Sequence, residues 1–540
     1  MDRRISICGA MFASLFLVTA CNHGDSTSTV ASTTTSTTTS NTTSGSTSGN
    51  TATAAAAGSV SLSAANYQVP TSSGLATVTV NRRGSAQGSM SVQFTTANGS
   101  AVAGSDYAAV QGTLTWASGD STSKSVVVPI GKNSDGKKFV FWLTNAINAS
   151  LGNPNGATIE IPGAVSPGAG PRAVNGLSVR VQGNHLIDAT GTPLQLRGVN
   201  VAGLEFVAVQ GWNPSDPWGT GGPSWSAIKT WQSNVVRLPL NEASWLGYLC
   251  VDGSGATRDP DPGHNYRVAV KKAVLGATAA GLYVILDLHW TAPKNFCPLA
   301  QNPMADTDNS INFWSSIAST YKDYPNVLFE LFNEPFIFWT TAGESEWDVL
   351  MKGGTLTQYV TGDGANYTKP YTWQVAGMQQ LLDTVRGTGA TNVVLVSGVT
   401  WSQDLSQWVA TRPRDAIGQL AAVWHAYPNS GTVGDLQAAL PKFGNQGYAW
   451  TQAVLRAGFP VVITEFGDHN AADTVGSPFV SKLLPWADEQ GASYVGWTWN
   501  PWQERDNVLL KTATGVPSDG YGEYVKQHYL CISAGGSNCP

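Results

Sequence analysis

The sequence predicts an α/β protein built on a (β/α)8 barrel (TIM barrel), preceded by a small all-β sandwich. Three observations carry this. After residue 171, eight short blocks rich in Val, Ile and Leu alternate with helix-like stretches, the pattern of parallel strands joined by crossover helices. Nearly every block ends on a polar, ionisable or aromatic tip. Between Gly58 and Gly163 the chain instead alternates apolar and polar residues between turns of Gly, Asn, Asp and Ser, as short antiparallel strands do.

At the N-terminus, Arg3 and Arg4 precede the apolar stretch ICGAMFASLFLVTA. It is too short to span a membrane and reads as a signal peptide over residues 1–20. Its LVTAC ending resembles the lipobox of bacterial lipoproteins. That implies cleavage before Cys21, lipidation of that cysteine, and export to the outer membrane or cell surface with membrane contact only through the lipid. Residues 21–57 are almost wholly Ser, Thr, Asn, Gly and Ala, which cannot bury enough surface to fold and read as a flexible tether.

Residues 58–163 contain ATVTV, SVQFTT, GTLTWA and SKSVVVPI, the strands of the predicted sandwich. The run TANGSAVAGSDYAAVQGTLTWASGDSTSKSVVVPI resembles a Calx-beta domain, a family that often binds calcium through acidic loop residues. Asp106 of GSDY matches that pattern, while Thr71 stands where the family has a glutamate. AVSPGAGP, residues 164–171, is a second linker, and residues 172–540 form the predicted barrel.

Charged residues make up 12% of the chain and the net charge is -6, with no basic runs. Phosphate binding needs clustered Lys and Arg, so a nucleic-acid partner is excluded. Of 20 tryptophans, all but Trp116 and Trp142 lie after residue 171. So many flat rings suit a ligand with flat apolar faces, such as a sugar. Of six cysteines, Cys8 and Cys21 belong to the leader. In an exported chain the other four are expected to pair, Cys531 with Cys539 on the tail and Cys250 with Cys297 between two loops. No HExxH or CxxC spacing occurs, and no metal or cofactor is expected.

The barrel blocks are LQLRGVNV, NVVRLPL, GLYVILDLH, NVLFELFNEP, TNVVLVSG, LAAVWHAY, GFPVVITEFG and ASYVGWTWN. Between two of them, INFWSSIASTYKDYP reads as an amphipathic helix capped by Asp308 or Ser310 and stopped at Pro325. VQGNHLIDATGTPLQL reads as a hairpin that plugs the barrel bottom. In such a barrel chemistry sits at the C-terminal strand ends. The tips there are Asn200, Arg237, His289, Asn333, Glu334, His425, Tyr427, Glu465 and Trp499. Glu334 and Glu465 end the fourth and seventh blocks and would face each other across the mouth. Paired carboxylates are what glycosidic cleavage requires, one to protonate the leaving oxygen and one to attack the anomeric carbon or activate water.

Together LRGVN, NVVRLPL, ILDLH, LFNEP, WHAY, ITEFG and WTWNP resemble glycoside hydrolase family 5 over residues 175 to 530. The resemblance implies a retaining enzyme with Glu334 as acid/base and Glu465 as nucleophile. It further implies that Asn333 binds the sugar 2-hydroxyl, that Arg237 and Tyr427 orient the nucleophile, that His289 and His425 line the cleavage site, and that Trp499 is the platform beneath the sugar. Arg237 would lower the pKa of the nucleophile, and the neighbouring carboxylate would raise that of the acid. Trp212, Trp218, Trp245, Trp290 and Trp502 follow strands, where further sugar subsites are expected. The expected activity is that of a monomeric endo-β-1,4-glucanase, cellulase-like, acting on β-glucan. Mannan, xylan and mixed-linkage glucan remain alternatives of the same mechanism, and a non-catalytic sugar-binding lipoprotein is the alternative of a different class.

Overall fold

The computed structural model describes residues 58–161 and 176–540 apart from short interruptions, the longest at 338–343, 359–369, 429–443 and 469–477. The leader, Cys21, both linkers and Thr71 lie outside the described residues.

The N-terminal domain is a pair of sheets. Four strands run in the order Lys124–Pro129, Leu75–Arg83, Gly58–Leu62 and Ala149–Leu151, and five in the order Asn66–Gln68, Gly156–Ile161, Lys137–Ile147, Met90–Asn98 and Gln111–Trp116. Alternation in sequence becomes alternation of burial. Along Lys137–Ile147, Phe139, Phe141 and Leu143 enter the core while Lys138 and Trp142 face out. Asp106 is buried, and Lys137 meets its Oδ1 at 2.6 Å while the Val102 amide donates to Oδ2 at 2.9 Å. A lysine of the same domain thus supplies the positive charge for the one acidic residue that matched the calcium pattern.

The barrel is closed by eight parallel strands in chain order: Arg197–Asn200, Val235–Asn241, Tyr283–Trp290, Val327–Glu330, Val394–Val396, Leu420–Ala426, Val461–Phe466 and Ser493–Gly496. Val235, Ile285, Leu328, Leu395, Val423, Val462 and Val495 fill the lower bore. The short antiparallel strands Arg180–Gln182, His185–Ile187 and Pro193–Leu194 bring Leu186 into the same cluster, so the predicted hairpin does close the bottom. The helix read from INFWSSIASTYKDYP runs Ser310–Tyr321 and buries Phe313, Trp314 and Ile317. Its expected cap differs. Ser310 turns its hydroxyl onto the buried Glu242, and Asp306 Oδ1 accepts the Asn309 amide at 2.7 Å instead.

Two disulfides join Cys250 to Cys297 and Cys531 to Cys539. The first spans 47 residues and ties the segment after the second strand to the one after the third. Closing a loop of this size removes unfolded-chain entropy, so a Cys250→Ser/Cys297→Ser double variant should lose about 3–4 kcal/mol of stability. Thermal denaturation reads this, and an unchanged melting temperature would show that other contacts hold both segments.

Candidate active site

The strand tips converge on one guanidinium. Arg237, fully buried on the second strand, donates from Nε to Glu330 Oε2 at 2.7 Å, from Nη1 to Asn200 Oδ1 at 2.9 Å and to Glu465 Oε1 at 2.7 Å, and from Nη2 to Asn333 Oδ1 at 2.7 Å. Asp287 Oδ2 lies 2.9 Å from Nη2. One planar fork therefore fixes five groups from four other strands or their ends, which a point-charge ammonium could not do. Burial alone would lower the Arg237 pKa, but Asp287, Glu330 and Glu465 raise it well above its ordinary value.

Glu465 ends in a fixed orientation. Arg237 holds Oε1, and the Tyr427 hydroxyl donates to Oε2 at 2.8 Å. Strand pairing slips between Val423 and His425, and this sets His425 opposite Glu465. Such rim irregularities re-aim side chains. His425 Nδ1 is 2.7 Å from Glu334 Oε1 and 3.6 Å from Glu465 Oε2. A carboxylate oxygen of Glu334, one of Glu465 and a ring nitrogen of His425 all lie within 4.8 Å of one another.

The hydrogen bonds locate the mobile proton. Thr464 spends its single hydroxyl proton on Glu330 Oε1 at 2.9 Å, so its oxygen can only accept from His425 Nε2 at 3.0 Å. The proton at Nδ1 then lies between the imidazole and Glu334. Burial would lower the His425 pKa, but Glu465, Glu330 and Glu334 raise it to about 10. The same contacts correct an expectation for the acid. Burial does raise the Glu334 carboxyl, yet the hydrogen bond and charge of His425 outweigh it and hold Glu334 below its ordinary value. A cationic partner at 2.7 Å wins over the neighbouring carboxylate.

His289 donates from Nδ1 to Asp287 Oδ2 at 2.6 Å, and its Nε2 faces the Asn333 amide at 3.5 Å. Burial and Arg237 push its pKa down to about 3, so its ring is neutral near neutral pH. Its flat face lies against Trp497, with centroids 5.6 Å apart and planes 7° from parallel.

The tryptophans need two corrections. Trp499, expected as the sugar platform, is 4% exposed and packs edge-on into Trp231 in the core. The half-buried ring beside the cleft histidine is Trp497, two residues earlier. Trp245 is also no cleft residue. It is 2% exposed and sits among Phe313, Tyr321 and the Arg267 guanidinium, because the short helix Glu242–Leu246 turns it inward. Trp290 is 7% exposed and packs edge-on against Phe206, in a cluster with the half-buried Trp212, Trp497 and Trp502. Sequence reading also missed Glu330 and Asp287. Glu330 lies four residues before Glu334 in an otherwise apolar strand, and a lone carboxylate there was a usable signal.

Glu205 follows the first strand. It is fully buried, its Oε2 accepts the Gly203 amide at 2.7 Å, and its Oε1 has no partner. Burial pushes its carboxyl up to about 8 from an ordinary 4.5. The folded chain binds this proton more tightly than the unfolded one. The stabilisation is therefore complete below the unfolded value and is lost as pH rises through the folded one. The melting temperature should fall between about pH 5 and about pH 9, and Glu205→Gln should be progressively more stable than wild type over that range. Parallel melting curves for the two proteins would contradict this.

A fold of this kind with this carboxylate pair has a known counterpart. Residues 187–503 match the model of cellulase, glycosyl hydrolase family 5. The chain belongs to glycosyl hydrolase family 5. Residues 54–163 match the Calx-beta domain. The family 5 barrel is 24% identical over 329 residues to an endoglucanase of Clostridium saccharobutylicum, covering 60% of this chain and 56% of that one. It is 25% identical over 337 residues to endoglucanase 5 of Pectobacterium carotovorum subsp. carotovorum, covering 62% and 52%. The matched region spans about half the length of these relatives. Among solved structures it is similar to a β-glucanase of Saccharophagus degradans in complex with cellotetraose, at 23% identity and a TM-score of 0.46 over 68% of this chain and 98% of that one.

Proposed function

We propose that the enzyme cleaves β-1,4-glucan internally, with retention of anomeric configuration, from a lipid-anchored position outside the cell. The observation that carries the mechanism is the approach of Glu334 and Glu465 to within 4.8 Å at their nearest oxygens. Inverting enzymes keep the two carboxyl groups about 6.5–9.5 Å apart to admit a water, and retaining enzymes about 5–5.5 Å.

In the first step Glu465 attacks the anomeric carbon, and the aglycone oxygen leaves with a proton from Glu334. That proton is drawn from the Glu334–His425 hydrogen bond. Covalent attachment removes the charge of Glu465, so Arg237 and Tyr427 lose an anionic partner. Glu334, then ionised, takes a proton from water as the water attacks the glycosyl ester. The first step makes one C–O bond and breaks one, and the second reverses the ester. In this reading Asn333, held by Arg237, binds the sugar 2-hydroxyl.

The glucan assignment is supported by the relatives named endoglucanases and by the half-buried rings of Trp212, Trp497 and Trp502, which pack on Phe206 and Trp290. Lipid anchoring rests on LVTAC at residues 17–21. A panel of polysaccharides tests the substrate. Carboxymethylcellulose and barley β-glucan should lose viscosity quickly while few reducing ends appear. Cleavage of mannan or xylan with no action on either glucan would overturn the assignment.

A further inference from the structure

We propose that the outward face of the five-stranded sheet in the N-terminal sandwich is a second glycan-binding site, a flat platform centred on Trp142 that holds neutral polysaccharide. The proposal rests on the reading that the barrel acts on β-glucan. Trp142 is 42% exposed, the one tryptophan among the large hydrophobics left open to solvent among the described residues. Its strand neighbours explain how the ring lies. Trp142 pairs across the sheet with Gly156 on one side and Thr95 on the other. A methyl group added to Gly156 would come within 2.1 Å of Cζ3 of Trp142, so the ring lies over the glycine and needs its missing side chain. One part of the ring rests on backbone and the remainder faces water.

The row continues through Thr95 to Gln111, so four adjacent strands present Gly156, Trp142, Thr95 and Gln111 side by side. At the common strand spacing this row is about 14 Å wide, room for more than one sugar ring. The next row pairs Thr144 with Gln93. Hydroxyl and amide groups beside an open aromatic face are the complement of a sugar, which offers an apolar ring face and a rim of hydroxyls. Charge argues against other occupants. Along these four strands the outward face carries Lys138 and Glu160 alone, and they sit opposite each other in register, so the face attracts neither an anionic nor a cationic partner. Attached to a catalytic barrel, such a platform would keep polymer near the cleft by effective concentration.

The test uses the full chain. In native gels containing barley β-glucan, protein with Glu465→Ala should migrate slowly. Adding Trp142→Ala should weaken the apparent affinity about tenfold, a factor worth ~1.4 kcal/mol, and Trp142→Phe should keep most of it. Gln111→Glu, at an exposed position, should also weaken it by placing a charge on the platform. In the otherwise wild-type enzyme, Trp142→Ala should leave cellotetraose turnover unchanged. Equal retardation of Trp142→Ala and its parent would overturn the proposal. If Trp142→Ala does not fold, equal retardation of Gln111→Glu and its parent would overturn it. Failure of the wild-type enzyme to release sugars from barley glucan would instead overturn the substrate assignment of the barrel, and the hydrolysis assay reads that separately from the gel.

Discussion

Glu465→Ala should abolish turnover on every glycoside, by at least roughly 10⁴-fold, because no other group can form the covalent intermediate. Its two oxygens are already held, one by Arg237 at 2.7 Å and one by Tyr427 at 2.8 Å, and the carboxylate of Glu334 is engaged by His425. Glu334→Ala should behave differently. On glucan the loss should be about 10²–10⁴-fold, the usual contribution of a proton donor. On an aryl glycoside with an acidic leaving group the first step needs no proton, and the loss should fall on the second step. Azide should then restore turnover and give a β-glycosyl azide. A β-glycosyl azide from Glu465→Ala, with an α-azide from Glu334→Ala, would reverse the two roles.

Arg237→Met should cost both fold and activity. The guanidinium is fully buried and faces Asp287, Glu330 and Glu465 at 2.9, 2.7 and 2.7 Å. Removing it leaves three carboxylates without their shared cation. Stranding one buried charge costs about 3–5 kcal/mol, which corresponds to a fall in melting temperature of about 10 °C for a domain of this size. Arg237→Lys should recover little. It keeps the charge, but a single ammonium cannot reach Asn200, Glu330, Asn333 and Glu465 together. Thermal melting and turnover of both variants read this. A stable, active Arg237→Lys would show that charge, rather than the planar fork, organises the site.

The barrel was legible because its signal is repeated. Each block, such as GLYVILDLH, joins an apolar body that the bore and outer helices must bury to a tip that the mouth exposes to chemistry. Glu334, Glu465, Arg237, His425 and Tyr427 could be placed for the same reason. Glu330 was hidden within VLFELF, since its partner Arg237 lies 93 residues earlier and single-strand periodicity carries no cross-strand charge. The exchange of Trp499 for Trp497 has a local cause. The eighth strand ends at Gly496, and past that point alternation no longer says which ring faces the cleft. Trp245 failed because a five-residue helix follows its strand and rotates the ring into the core. The protonation of His425 depends on Thr464, Glu330, Glu334 and Glu465 together, an arrangement that exists only once the sixth and seventh strands pair.

The central claim is that two carboxylates this close carry out a double displacement. Proton NMR of the first products formed from cellotetraose tests it most directly, before mutarotation scrambles the anomers. The account predicts that the new reducing end appears first as the β-anomer. Initial appearance of the α-anomer would contradict it.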